Sequence, residues 1–378
     1  MSDAVTPHPF AFPDSALVDL RDRLARTRWP ERETVGDWSQ GAPLDRVRAL
    51  CEHWRDRHDW RACEARLNAL GPSMTTIDGL DIHFLHIRSP EPDARPLIMT
   101  HGWPGSVIEF LDVIAPLTDP RAHGGAAGDA FHVVLPSLPG YGLSGKPTAT
   151  GWNVDRIARA WIVLMRRLGY DRFLAQGGDW GSAVTSVLGA SGDPAVAAIH
   201  LNMVITAPAP LSDPPTAREQ AAIDAGRYYA EWGNGYAIQQ STRPQTLGYA
   251  LTDSPVGQAA WIVEKFHEWT DCAPDDDSAL SVDAMLDNIT LYWLSATAAS
   301  SARLYWESFR TFNAPAVSIP VGCSIFPREI SRPIRAWAEG KYPRLVHFNE
   351  LPRGGHFAAF EQPALFVEEV RTTFRAIR

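Results

Sequence analysis

The sequence predicts an α/β fold in which helices cover both faces of a mostly parallel sheet. Between residues 74 and 207, short apolar runs of strand length alternate with segments of helical periodicity, which is typical of parallel sheets. This alternation stops near residue 207 and resumes after residue 308, which indicates a helical insert. The 378 residues, 45% of them hydrophobic, suffice for two domains or for one large domain with such an insert.

Residues 1–73 are predicted to form a helical, Trp-rich extension that packs on the core. Asp14 or Ser15 can cap its first helix, whose leucines recur at helical spacing, and Trp29-Pro30 is expected to end that helix. A second helix is expected over the apolar positions between residues 44 and 54.

The first part of the core, residues 74–207, is predicted to open with a β-hairpin. An Asp-Gly pair at residues 78–79 lies between two short β-prone runs, and this pair is a favoured hairpin turn. Ser106 and Glu109 have the spacing of a capping box, and Asn153 can cap a further helix. Four strands after the hairpin are expected at residues 96–100, 132–135, 172–175 and 197–202.

Residues 208–308 are predicted to be a helical lid, since they contain no strand-like run. Residues 309–378 complete the core, with strands expected at 317–326 and 345–349 and a last helix at 363–377. A helical insert inside an α/β unit is typical of a lid over an active site, although an insertion without a function gives the same pattern.

Composition and charge exclude several classes of function. The net charge is −9 and no basic tract is present, so nucleic acid is not an expected partner. The four scattered cysteines form no CxxC pair, which predicts free thiols and neither a disulfide nor a metal site. The polar start and the lack of a run of about 18 apolar residues predict a cytoplasmic protein. The 14 tryptophans suit an aromatic-lined pocket or ordinary core.

The strongest chemical signal is a glycine-rich turn between a predicted strand and a predicted helix, Gly177-Gly178-Asp179-Trp180-Gly181. It has the shape of a nucleophile elbow, with Asp179 where a serine hydrolase has serine. A carboxylate is already ionised at neutral pH, so it can attack a saturated electrophilic carbon directly. The turn therefore indicates chemistry on epoxides or haloalkanes, although a lone turn of this kind is also typical of a helix N-cap.

Three further segments favour the catalytic interpretation. Residues 101–105 follow a strand and fit a turn that donates a backbone N–H to an oxyanion hole, whose second donor would be the N–H of Trp180. His356 lies on a glycine-containing loop before the last helix, which suits a general base. Glu329 follows the strand predicted from residue 317 and would orient His356.

Five motifs, in this order, extend the signal over nearly the whole chain: His101-Gly102-Trp103-Pro104-Gly105-Ser106, Leu138-Pro139-Gly140-Tyr141-Gly142, residues 177–180, Asp253-Ser254-Pro255-Val256-Gly257 and residues 353–360. With them, and with Trp29-Pro30 and Trp38 near the start, the chain resembles the microsomal-type epoxide hydrolases of the α/β-hydrolase superfamily. The resemblance implies an α/β-hydrolase fold with an N-terminal extension and a helical lid, and neither a cofactor nor a metal. The membrane-anchoring helix of the mammalian members has no counterpart here, so we expect no membrane anchor.

The resemblance also implies a catalytic triad. Asp179 would be the nucleophile, His356 the general base and Glu329 the acid that orients it. The backbone N–H groups of Trp103 and Trp180 would hold the oxyanion.

Two lid tyrosines that protonate the epoxide oxygen are implied as well. Tyr305, which ends the motif Ser300-Ser301-Ala302-Arg303-Leu304-Tyr305, fits one place well, and Tyr236 fits the other less closely. The nearby tyrosines that stay open as alternatives to Tyr236 are Tyr228, Tyr229 and Tyr249.

The implied reaction converts a small hydrophobic epoxide and water into a vicinal diol through a covalent ester on aspartate. A haloalkane dehalogenase is the alternative with the same nucleophile, and it would use Trp or Asn donors for the halide where this lid offers Tyr. An α/β-hydrolase-fold protein that only binds ligands is the alternative of another class, and it would lack part of the triad. The sequence leaves the oligomeric state open, a homodimer included.

Overall fold

The structure, a computed structural model, describes residues 3–206, 210–273, 276–313 and 315–377. Residues 207–209, where the α/β alternation was expected to stop and the lid to begin, lie outside the described residues. The strands are β1 (Thr6–Pro7), β2 (Ser73–Ile77), β3 (Leu80–Ile87), β4 (Arg95–Thr100), β5 (Phe131–Pro136), β6 (Phe173–Gly177), β7 (Val196–Leu201), β8 (Val321–Ile325) and β9 (Leu345–Glu350).

The α-helices fall into three groups along the chain. Those before β7 are α1 (Asp14–Ala25), α2 (Leu44–Asp56), α3 (Trp60–Asn68), α4 (Leu111–Thr118), α5 (Val154–Arg167) and α6 (Asp179–Ala190). Those between β7 and β8 are α7 (Ala217–Tyr228), α8 (Gly235–Thr242), α9 (Pro244–Asp253), α10 (Pro255–Trp269), α11 (Val282–Leu294) and α12 (Ala298–Ser308). Those after β8 are α13 (Arg335–Lys341), α14 (Ala358–Glu361) and α15 (Pro363–Arg375).

The strands form one sheet in the order β1-β2-β3-β5-β4-β6-β7-β8-β9. The neighbours from β5 to β9 are parallel, whereas β1, β2 and β3 join the sheet antiparallel. This confirms the mostly parallel sheet that the alternation predicted. The carboxyl ends of β4, β6 and β8 therefore meet at one edge, which is where open α/β sheets place their ligands.

Each face of the sheet packs against its own apolar core. In β4, Ile98 belongs to the core that contains Trp161 of α5, whereas Leu97 and Met99 belong to the core that contains Phe374 of α15. Neighbouring side chains of a strand point to opposite faces, so this division shows helices on both sides.

The extension at residues 1–73 is helical as expected, but it also supplies β1, which the sequence did not predict. Helix α1 begins at Asp14, yet its N-cap is Pro13 and no side chain caps it; the helix ends at Ala25, before Trp29-Pro30. The Trp54 indole N–H donates to Thr290 Oγ1 of α11 at 2.8 Å. The extension thus contacts the helices between β7 and β8 as well as the sheet.

Turn chemistry explains which local predictions hold. The hairpin at residues 78–79 is confirmed, and both residues have positive φ, as a type I′ turn requires. Asn153 caps α5 by accepting from the N–H of Arg156 at 3.0 Å. Strand β8 begins only at Val321, because Pro320 has no N–H to donate to a sheet.

The capping box predicted at Ser106 and Glu109 is wrong. Ser106 Oγ accepts from the N–H of Ile108 at 3.2 Å, but residues 107–110 form a 3₁₀ turn and Glu109 does not bond back to Ser106. The Glu109 carboxyl turns instead toward Gly105, where an added Cβ would lie 2.0 Å from its Oε2. This position of the Glu109 carboxyl was not foreseeable from the spacing alone.

The helices from α7 to α12 lie between β7 and β8, so the described part of the insert contains helices and no strand. A π-helix at Tyr229–Gly233 interrupts the path from α7 to α8. Among the described residues, no helix is both long enough and apolar enough to cross a bilayer.

Candidate active site

The turn between β6 and α6 has the geometry of a nucleophile elbow. Strand β6 ends at Gly177 and α6 begins at Asp179, whose φ of 50° places a non-glycine residue in the left-handed region. The turn passes so close to β4 that a Cβ on Gly181 would lie 1.8 Å from the carbonyl oxygen of Thr100. The strained backbone presents the Asp179 carboxylate at the carboxyl edge of the sheet.

The two oxygens of Asp179 have different partners. Oδ1 accepts from the backbone N–H of Trp103 at 2.7 Å, and Oδ2 lies 3.4 Å from His356 Nε2. The N–H of Trp180 lies in the first turn of α6, where a helix offers it no acceptor of its own. The predicted oxyanion donors thus flank the predicted nucleophile.

The structure brings His356 and Glu329 together with Asp179, as the sequence predicted. His356 Nδ1 lies 2.7 Å from Glu329 Oε1, which also accepts from the N–H of Ile330 at 2.6 Å. The three residues are 9%, 5% and 2% exposed for Asp179, His356 and Glu329 respectively. The three side chains are therefore shielded from bulk water. Charges in such a buried site interact more strongly than they would in water.

The charge state of His356 is set by its two carboxylate neighbours. Burial lowers its pKa, but Glu329 and Asp179 outweigh that effect and raise the pKa to about 10. The raised pKa favours the imidazolium form, whose two ring nitrogens face Glu329 and Asp179.

The loop that carries His356 is tied to the end of α10. The N–H of His356 donates to the carbonyl of Trp269 at 2.9 Å, and the N–H of Gly354 donates to Asp271 Oδ2 at 2.8 Å. Glu361 accepts from the N–H of Asp271 at 3.0 Å. The insert therefore takes part in positioning the histidine.

Tyr305 and Tyr236 lie in the same cavity as Asp179. Tyr305 is 2% exposed, and its hydroxyl has no hydrogen-bond partner among the described residues. The rings of Tyr236 and Tyr305 are 5.7 Å apart, and the Tyr236 ring stacks on that of Trp103 at 5.0 Å. Burial raises the pKa of both tyrosines well above the usual value, so both hydroxyls stay protonated and can donate.

The three alternatives to Tyr236 differ in position. Tyr228 and Tyr249 are 57% and 72% exposed and do not line the cavity. Tyr229 lines it, and its hydroxyl lies 3.2 Å from the hydroxyl of Tyr236. The sequence did not single out this pair, because a π-helix at residue 229 has no clear sequence signal.

The cavity measures about 360 Å³, within the range of small-molecule sites. Apolar side chains form most of its wall, and its polar lining groups include Asp179 and three tyrosines. Its lining includes Asp179, Trp180, Met203, Ile205, Ala222, Tyr229, Tyr236, Tyr305, Phe309, Phe312, Ile330, Arg332 and Trp337. The volume and lining of the cavity suit a small, mostly apolar molecule.

The motif at residues 138–142 connects the core to α12, the helix that carries Tyr305. The Tyr141 hydroxyl donates to the carbonyl of Ser301 at 3.1 Å, and Ser300 Oγ donates to the carbonyl of Gly140 at 2.6 Å. These contacts fix the helix of Tyr305 over the sheet.

Among the described residues, no group of three or more His, Cys, Asp or Glu is placed to hold a metal ion.

Comparisons with known proteins agree with this geometry. Residues 5–110 match the family model described as the epoxide hydrolase N terminus, and residues 95–258 match that of the α/β hydrolase fold. A presumed epoxide hydrolase of Stigmatella aurantiaca is 57% identical over 99% of this chain and 86% of its own length. Epoxide hydrolase 1 of Sus scrofa is 34% identical over 98% of this chain and 88% of its own.

Two solved structures support the same assignment. The epoxide hydrolase of Aspergillus niger superposes with a TM-score of 0.90 at 31% identity, covering 99% of this chain and 97% of that one. The juvenile hormone epoxide hydrolase of Bombyx mori superposes with a TM-score of 0.87 at 29% identity, covering 100% and 95%. The chain therefore belongs to the epoxide hydrolase family and has the α/β-hydrolase fold.

Proposed function

We propose that this enzyme hydrolyses a small hydrophobic epoxide to a vicinal diol through a covalent ester on Asp179. The observation that carries the proposal is that the Asp179 carboxylate and the phenols of Tyr236 and Tyr305 line a single, mostly apolar cavity. A carboxylate supplies the nucleophile, and the phenols supply the proton that ring opening demands.

In the first step, Asp179 Oδ2 attacks a ring carbon and the bond from that carbon to the epoxide oxygen breaks. Oδ1 is already bound to the N–H of Trp103, which leaves Oδ2 as the attacking atom. Tyr305 and Tyr236 donate hydrogen bonds to the departing oxygen, and one of them transfers its proton. The products are a hydroxyalkyl ester and a tyrosinate.

In the second step, the imidazolium of His356 first gives its proton to the tyrosinate. The neutral imidazole then removes a proton from water, and the water oxygen attacks the Asp179 carbonyl carbon. The oxyanion forms at Oδ1, between the N–H groups of Trp103 and Trp180. The ester C–O bond then breaks, and the diol oxygen takes the proton from His356. The carboxyl proton left on Asp179 passes to His356 Nε2, which restores the carboxylate and the imidazolium of the resting enzyme.

A variant that lacks the general base tests directly whether the ester forms. His356→Gln should still be alkylated by styrene oxide, because attack by Asp179 does not use His356. Mass spectrometry of the intact protein should show a gain of one substrate mass, located on the Asp179 peptide. The Asp179→Asn variant is the control and should gain no mass. Diol release by His356→Gln at the wild-type rate without any adduct would contradict the proposal.

One observation supports a second candidate reaction, halide displacement. The indole N–H of Trp180 is buried without a partner among the described residues, and Trp180 lines the cavity, so it could hold a halide. The two phenols favour the epoxide, since a halide leaves without a proton. We expect no measurable chloride release from a chloroalkane; chloride release without turnover of any epoxide would make dehalogenation the better assignment.

A further inference from the structure

Three hydrogen-bond donors in the wall of the substrate cavity have no part in the proposed reaction. They are Thr206 Oγ1, Arg332 Nε and the indole nitrogen of Trp337, and all three side chains line the cavity. Each of these atoms is buried, and within the described ranges of the chain none has a hydrogen-bond partner. A buried donor without a partner costs free energy, so three in one cavity indicate a site for a group that accepts hydrogen bonds.

The fold brings these three donors together. Thr206 follows β7, and the other two follow β8, which is the neighbouring parallel strand. Ser331 Oγ donates to the carbonyl of Val204 at 2.7 Å, and Lys341 Nζ donates to the carbonyl of Ile205 at 2.5 Å. These bonds tie the segment after β7 to the loop and the helix after β8. The three donors therefore belong to one part of the cavity wall.

This part of the wall is separate from the reacting groups. Among the residues that the structure describes, no hydrogen bond joins any of the three donors to Asp179, Tyr236 or Tyr305. In the proposed reaction, those three residues contact the epoxide ring. The free donors would therefore contact another part of the same substrate.

The charge of Arg332 favours an anion as the acceptor. Its Nη1 donates to the carbonyl of Pro327 at 2.7 Å, but no carboxylate in the described part of the chain forms an ion pair with its guanidinium. Burial lowers the pKa of Arg332, and the nearby charges of Arg218 and Arg328 lower it further, while Glu329 raises it. An arginine stays charged at neutral pH, so a carboxylate here would supply a countercharge and accept charge-assisted hydrogen bonds.

We propose that Thr206, Arg332 and Trp337 bind a carboxylate of the substrate, at the end of the molecule away from the epoxide. The inference rests on the proposed function, because it names the substrate class of the same cavity as apolar epoxides that carry one carboxylate. Arg332 and Trp337 each donate an N–H, and Thr206 donates its hydroxyl. The cavity volume of about 360 Å³ suits a molecule with one aromatic ring and these two groups.

Three matched epoxides test the assignment: styrene oxide, para-carboxystyrene oxide and the methyl ester of the latter. The ester keeps the acceptor oxygens of the carboxylate without its charge. With the wild-type enzyme, kcat/KM for the carboxylate should exceed that for the ester by about 10- to 100-fold, since hydrogen bonds to a charged group are the stronger kind. The difference should lie mainly in KM, because the carboxylate is bound alike before and during ring opening.

Two variants assign that preference to the donors. Arg332→Met removes the charge and keeps a similar length, and Trp337→Phe removes the indole N–H and keeps an aromatic ring. Both should lower the ratio of kcat/KM for the carboxylate to kcat/KM for the ester, Arg332→Met to about one. A purely structural role would lower both values together and leave their ratio unchanged.

Arg335→Met is the matched control. Arg335 lies in the same helix as Trp337, is exposed, pairs with Glu339 at 2.7 Å and does not line the cavity. The ratio for this variant should equal that of the wild type.

The outcomes separate this inference from the proposed function. A wild-type ratio of about one, or a ratio that Arg332→Met leaves unchanged, overturns the carboxylate site. A preference for the ester over the carboxylate overturns it as well, because the donors would then take a neutral acceptor. If none of the three epoxides is hydrolysed, the proposed function itself fails; hydrolysis of styrene oxide without a preference for the carboxylate is a failure of this inference alone.

Discussion

The imidazole of His356 lies between two carboxylates, and its proton affinity follows their charges. With both charged, its pKa is raised to about 10, so at neutral pH the resting imidazole is protonated and cannot act as a base. Esterification removes the charge of Asp179, and with it one of the contributions that raise the pKa. Formation of the ester therefore favours the neutral imidazole that activates the hydrolytic water.

This coupling predicts a pH dependence for the second step. Hydrolysis needs neutral His356, so its rate should rise with pH through a pKa below about 10 and then level off. Glu329→Gln removes another contribution that raises the pKa and should shift the midpoint to lower pH, with a lower plateau. The measurement is the decay of preformed ester at a series of pH values. A rate that falls as pH rises would contradict the role of His356.

The phenols predict a defect in the first step. Tyr305→Phe and Tyr236→Phe should each slow ester formation by about 100-fold, because each removes a donor to the developing alkoxide. Rapid quenching followed by mass analysis of the Asp179 peptide measures that rate.

The matched control is Tyr249→Phe, since Tyr249 is 72% exposed and lies outside the cavity. Its rate of ester formation should equal that of the wild type. Wild-type rates in both Tyr305→Phe and Tyr236→Phe would show that the proton comes from another group.

Sequence reasoning picked out the site residues whose positions depend on local chain geometry, while their roles stay predictions. Asp179 stands out because its glycine turn is readable without a structure. The partnership of Tyr229 with Tyr236 and the position of Glu109 were not predictable. Both depend on how distant elements pack, and no short motif records that packing.

At the scale of elements, the elbow depends on the close approach of α6 to β4. Gly181→Ala should lower the free energy of unfolding by about 3 kcal/mol. The added Cβ would collide with the carbonyl oxygen of Thr100, and the backbone there can move away only at a cost in free energy. Gly340→Ala in α13 meets nothing within 4 Å and should stabilise the protein by roughly 0.5–1 kcal/mol. Denaturant unfolding measures the free energy of unfolding of both variants. Equal values for Gly181→Ala and Gly340→Ala would contradict the close packing of the elbow.

The elements that were predicted well carry their own boundary signals. The hairpin at residues 78–79 and the Asn153 cap of α5 depend on residues within the segment. Strand β1 was missed because two residues show no periodicity and gain their strand structure only by pairing with β2. The failed capping box has the same cause, because Glu109 lines a small void together with Asn202 and His356, which come from distant parts of the chain.

At the scale of the whole molecule, the active site is made by parts that are far apart in sequence. The sheet presents Asp179, the loop after β9 presents His356, and helices α8 and α12 bring the tyrosines. The α/β alternation and the family motifs predicted this plan. The boundary between core and lid expected near residue 207 stays a prediction, because residues 207–209 lie outside the described residues. The roles of the site residues stay predictions as well.

One measurement tests the central claim, that Asp179 forms an ester which water then hydrolyses at the aspartate carbonyl. A single turnover of styrene oxide in ¹⁸O-labelled water, with enzyme in excess, is followed by mass analysis of the diol and of the Asp179 peptide. The account predicts label in the Asp179 carboxylate and unlabelled diol, because the diol takes the original Oδ2. Label in the diol with none in Asp179 would show that water attacks the epoxide directly and would contradict the account.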